Sequence, residues 1–107
     1  MSAKKVIKKQ AKKAKPTLTP TTYMDHDLKN YYIQVEMPGV KKEDLELSVS
    51  DQSFCVRGVR EDIELLGCYV LAHPVDTEKV KAKFENGLLN IEIPLKKLLK
   101  GKKVAIE

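Results

Sequence analysis

The sequence predicts an all-β chain, an antiparallel β-sandwich, from three observations. From Tyr23 onward apolar and polar residues alternate in run after run; Gly, Pro and Asn punctuate the runs at short intervals; and no amphipathic helix interrupts them. In the first clear run Ile33, Val35 and Met37 point one way and Gln34 and Glu36 the other, with Asn30 in the turn before it. Pro38-Gly39 breaks that strand, and residues 41–44 make a polar turn. Leu45, Leu47 and Val49 then resume the alternation against Glu46 and Ser48. After the punctuation Asp51-Gln52-Ser53 come two strand-like runs, residues 54–60 and 63–73. Residues 74–78 read as a loop and 79–84 as a short strand. Asn86-Gly87 is a tight-turn pair, since both residues tolerate positive φ. It leads into residues 88–93, where Leu89, Ile91 and Ile93 share a face.

The chain has 107 residues, 20 Lys+Arg against 15 Asp+Glu, and a net charge of +5. At this length one domain is expected, burying roughly 65% of its unfolded surface without needing metals or disulfides. No apolar run approaches the about 20 residues of a bilayer span. The lysine-rich start also lacks the apolar stretch of a secretory signal, so a cytoplasmic location is expected. The charge is uneven. Residues 1–15 hold Lys4, Lys5, Lys8, Lys9, Lys12, Lys13 and Lys15 and no acid. With only Val6 and Ile7 as large apolar residues, this arm is expected to be disordered alone. Pro16 and Pro20 end any helix, and residues 16–22 read as an extended linker. The expected organisation is a basic arm and linker over 1–22, the sandwich over 23–94, and a lysine-rich extension over 95–107.

The short connection Glu61-Asp62 predicts a two-residue hairpin in which residue i faces 123 − i, which sets Cys55 opposite Cys68. Phe54, Val56, Ile63, Leu65, Tyr69 and Leu71 then share one face, and the two cysteines lie on the other. In a cytosolic protein reduced thiols acting as small hydrophobes are the expectation over a redox-linked disulfide. Catalytic chemistry has little to work with. The two histidines are His26, in the linker region, and His73, at a strand end; no phosphate loop or hydrolase motif occurs. Asp25, His26 and Asp27 read as a solvated turn rather than a metal cluster. Neither metal nor cofactor is expected.

Two segments carry a family resemblance. Val35-Glu36-Met37-Pro38-Gly39-Val40-Lys41-Lys42-Glu43-Asp44-Leu45 and Ala82-Lys83-Phe84-Glu85-Asn86-Gly87-Leu88-Leu89-Asn90-Ile91-Glu92-Ile93-Pro94 resemble two signature stretches of the alpha-crystallin domain of small heat-shock proteins. The resemblance covers residues 31–94 and implies an immunoglobulin-like sandwich. The tail adds a third feature, Val104 and Ile106, two β-branched residues on one side of an extended segment, similar to the family's tail motif. It implies that these side chains dock in a groove of a neighbouring subunit. The candidate lining is Leu45, Leu47, Val49, Leu89 and Ile91.

By the same resemblance the chain is expected to be an ATP-independent holdase that binds unfolding client proteins, and to form a homodimer and larger homo-oligomers. Two departures stand out. Between residues 60 and 63 there is no room for the strand that microbial and plant members exchange between subunits. The implied dimer must therefore be built otherwise, for instance by edge pairing of the 63–73 strand with its symmetry mate, as in animal members. The arm is lysine-rich where family members commonly have an aromatic, apolar one. The alternative is an adaptor whose seven arm lysines contact nucleic acid or another polyanion.

Overall fold

The computed structural model describes residues 15–107. Its strands are β1 (Thr17–Leu18), β2 (Thr22–His26), β3 (Asn30–Glu36), β4 (Leu45–Ser50), β5 (Ser53–Arg60), β6 (Ile63–Val70), β7 (Lys81–Glu85) and β8 (Leu88–Pro94), with a single turn of 3-10 helix at Lys42–Asp44. They form two four-stranded sheets, ordered β1-β6-β5-β4 and β2-β3-β8-β7. The all-β sandwich expected from the alternation is what is seen.

The core follows from the period of two. Tyr31, Ile33 and Val35 of β3, Phe54 and Val56 of β5, and Leu89, Ile91 and Ile93 of β8 are all buried, while their polar neighbours face water. Each such side chain contributes roughly 1.5–3 kcal/mol by leaving water. Among the described residues no polar or charged residue is buried, so sheet stacking is driven by apolar surface alone.

The two signature segments meet in space. Asn86 and Gly87 have φ of 52° and 76°, the left-handed pair that closes the β7–β8 hairpin. The Gly87 carbonyl accepts the Met37 N–H at 2.7 Å, and a Cβ on Gly87 would lie 3.3 Å from Pro38 Cα. Glycine is needed there both for its backbone angle and for that close approach.

The β5–β6 hairpin has the expected register, Arg60 opposite Ile63 and Cys55 opposite Cys68. The state of the cysteines differs from expectation. Cys55 and Cys68 are joined as a disulfide across this facing pair, with their Cα atoms 4.1 Å apart.

Other boundaries also shift. Residues 16–22 are not merely a linker. Thr17 and Leu18 pair in parallel with Glu64 and Leu65, and β2 begins at Thr22. Asn30 starts β3 rather than preceding it. Asp25 and His26 belong to edge strand β2, while the Asp27 carboxylate accepts the N–H groups of Lys29 and Asn30, each at 2.7 Å, and so builds the β2–β3 turn. The strand expected over 63–73 stops at Val70, where the Leu71 N–H turns to the Gln52 carbonyl.

Candidate functional site: open sheet edges and the carboxy-terminal tail

The chain after β8 is held for one short stretch and then leaves the body. Leu95 is buried and bridges Val75; its N–H donates to the Lys29 carbonyl at 2.8 Å. The Leu99 N–H donates to the Leu28 carbonyl at 3.0 Å, and its side chain packs on the core. Beyond it, residues 100–107 join no strand of their own sheets, and Val104 and Ile106 are 78% and 97% exposed. Two β-branched side chains thus stand on a segment that, among the described residues, pairs with no strand.

β4 and β7 are edge strands of the two sheets, and since the Tyr69–Thr22 bond sets β6 against β2 on one flank, β4 and β7 fall on the other. Leu45, Leu47 and Val49 face inward on β4 but are only half-buried, because no further strand covers them. On β7 the inward positions are Ala82 and Phe84, which oppose Ile91 and Leu89 of β8. Leu89 and Ile91 themselves are each 3% exposed on an interior strand, so they are core residues and not groove lining. The rim on the β7 side is instead Val80, Ala82 and Phe84. Alternation identified the inward face of both strands; which of them lay at the edge depended on sheet order.

On the opposite side, β1 covers β6 only at Glu64 and Leu65. Tyr69 links the sheets there: its hydroxyl donates to Thr22 Oγ1 at 3.0 Å, and its ring stacks on Phe54 with centroids 5.1 Å apart. Leu18 and Met24 are 51% and 43% exposed. A hydrogen-bonded cluster secures this edge. Glu64 accepts from Arg57 Nε and from the Thr17 hydroxyl, which holds its carboxyl below the usual carboxylate range. The Asp27 carboxyl is likewise held low, chiefly by the backbone N–H groups of Lys29 and Asn30.

The histidines, distant in sequence, meet at one end of the sandwich. Their rings lie edge to face with centroids 5.0 Å apart, and His26 also rests against Tyr31. His73 donates its backbone N–H to the Tyr31 hydroxyl. Among the described residues no three His, Cys, Asp or Glu side chains gather as a metal site would require. No helix among them is long and apolar enough to cross a membrane. Of the arm lysines, Lys4, Lys5, Lys8, Lys9, Lys12 and Lys13 lie outside the described residues, and Lys15 is exposed beside β1.

A two-sheet β body with an incompletely covered rim and an exposed apolar-tipped tail belongs to the class of open-edged β-sandwiches. Residues 23–107 match the family model described as Hsp20/alpha crystallin, and the chain belongs to that family. It is 29% identical to small heat shock protein C4 of Rickettsia felis over 105 aligned residues, covering 83% of this chain and 64% of that protein. The chain therefore spans less than two thirds of the length of that relative. It is 26% identical to an 18 kDa antigen of Mycobacterium leprae, over 88% of this chain and 72% of the other. Among solved structures, heat shock protein 16.0 of Schizosaccharomyces pombe superposes with a TM-score of 0.71 at 23% identity, covering 84% of this chain and 99% of that one, a likeness of fold.

Proposed function

We propose that this chain is an ATP-independent holdase: a self-associating sandwich that binds partly unfolded proteins through apolar surface at its open edges and so limits their aggregation. The observation that carries this reading is the pair Val104 and Ile106, exposed on a tail that joins neither sheet, taken together with a β4–β7 rim whose apolar residues are incompletely covered. A tail of one subunit laid along the β4 edge of another gains main-chain hydrogen bonds, and its alternate side chains supply selectivity. Leu45, Leu47, Val49 and Phe84 are the lining this requires. Because the same rim is offered to clients, release of tails on heating increases the apolar area available. Membership of the family supports the reading, as do relatives named as heat shock proteins. Homodimers and larger homo-oligomers follow from tails and rims carried by every copy.

The test is light scattering of the intact chain and of Val104→Ala plus Ile106→Ala, run beside suppression of aggregation of a heat-denatured client. The expected result is a smaller assembly with altered suppression. Unchanged size together with unchanged suppression rejects the mechanism.

A further inference from the structure

From the outer face of the β4-β5-β6 sheet we infer that the Cys55–Cys68 disulfide is a thiol–disulfide exchange site, opened by a small-molecule thiol. The two cysteines lie on the water-facing side of their hairpin, where Cys68 is exposed and Cys55 half-buried. They sit in a shallow depression of about 620 Å³, also lined by Glu46, Ser48, Arg57 and Leu66. A structural disulfide is ordinarily sealed by packing; this one opens directly to solvent over its own depression.

The geometry orders the chemistry. Cys68 is the more exposed of the two residues, so attack at its sulfur is the favoured first step. The bond between the Cys55 and Cys68 sulfurs breaks, a mixed disulfide forms at Cys68, and the electron pair leaves on Cys55. Arg57 follows Cys55 by two residues on the same face, but its guanidinium is paired with Glu64 and Glu46, so the departing Cys55 thiolate takes its proton from water. A second small thiol then attacks the mixed disulfide and leaves Cys68 as a thiol. In total two small thiols are oxidised to their disulfide while the protein gains two thiols, a balanced two-electron exchange.

The site also bears on the sheet edge. The 4.1 Å Cα spacing is that of a non-hydrogen-bonded pair, so Cys68 turns its own N–H and C=O away from β5. Glu64, four residues earlier and of the same parity, shows that direction by donating its N–H to the Pro16 carbonyl of the β1 segment. At Cys68 the backbone faces the stretch of β6 that β1 does not cover. Reduction therefore removes the cross-strand link and leaves β6 held to β5 by the Glu61-Asp62 turn and the backbone ladder.

The experiment equilibrates the full chain in reduced and oxidised glutathione at graded ratios, quenches with acid, alkylates, and weighs the intact chain. Expected is a single two-electron transition from no alkylated thiols to two, with the melting temperature falling by roughly 10 °C on reduction. The Cys55→Ser plus Cys68→Ser chain is expected to ignore reductant. Of the single variants, Cys55→Ser, which leaves Cys68, is expected to form the glutathione adduct at least several-fold faster than Cys68→Ser. Two free thiols under the most oxidising buffer, or equal adduct rates in the two single variants, would overturn the inference.

Discussion

Gly67→Ala puts a single methyl where the structure leaves no room for one, and its sign tests the packing of the β6 edge. In an ordinary strand interior alanine is more favourable than glycine by about 0.5–1 kcal/mol. Here a Cβ would lie 2.8 Å from Tyr69 Cε2 and 2.9 Å from its hydroxyl oxygen. The ring must move. In moving it gives up its stack on Phe54, worth about 0.5–1.5 kcal/mol, and its hydrogen bond to Thr22, worth about 1 kcal/mol. A loss of about 2 kcal/mol against that gain leaves the variant less stable by about 1 kcal/mol. The melting temperature then falls by roughly 4–8 °C. Urea titration followed by circular dichroism measures it. In a Tyr69→Ala background the obstacle is gone, and the same substitution is expected to stabilise, which gives a coupling of about 2 kcal/mol between the two positions. Gly67→Ala raising the urea midpoint in the parent chain would refute the packing described.

Truncating the tail after Gly101 is expected to leave the unfolding midpoint of the sandwich within about 0.5 kcal/mol of the parent, since Val104 and Ile106 bury almost nothing in their own subunit. Gel filtration of the same protein is expected to show a smaller particle. Leu71→Ala, at a site 1% exposed where the chain leaves β6, is expected to cost about 2–5 kcal/mol by urea denaturation. Acid provides a fourth measurement. Asp27 and Glu64 have carboxyl groups held low in the folded state by hydrogen bonds, so their stabilisation is complete above the ordinary carboxylate range. It is lost as pH falls through their lowered folded values. Asp27→Asn keeps a side-chain oxygen for Lys29 and Asn30 but removes one titrating group. Its urea midpoint is expected to decline less steeply below the carboxylate range than that of the parent.

Much of this molecule is decided by near neighbours in the chain. Alternation in residues 33–37, 54–60 and 88–93 is enough to assign faces, because side chains in a strand must alternate. Asn86-Gly87 and Glu61-Asp62 are local turn chemistry, and a two-residue connection leaves one register; hence Cys55 opposite Cys68 is readable before any coordinates. Whether those sulfurs join was a different matter, since their bonding depends on surroundings that spacing does not describe.

What local pattern could not supply was the order of strands in the sheets. Leu47 and Ile91 look alike in sequence, each an aliphatic residue in an alternating run. Among the described residues β4 is an edge strand, whereas β8 is flanked by β3 and β7, so one is half-covered and the other buried. The same holds for Thr17 and Leu18, whose pairing with Glu64 and Leu65 crosses 47 positions of chain, and for the two histidines brought ring to ring. Periodicity is a property of each strand alone; being at an edge is a relation among strands, and only the packed sheets establish it.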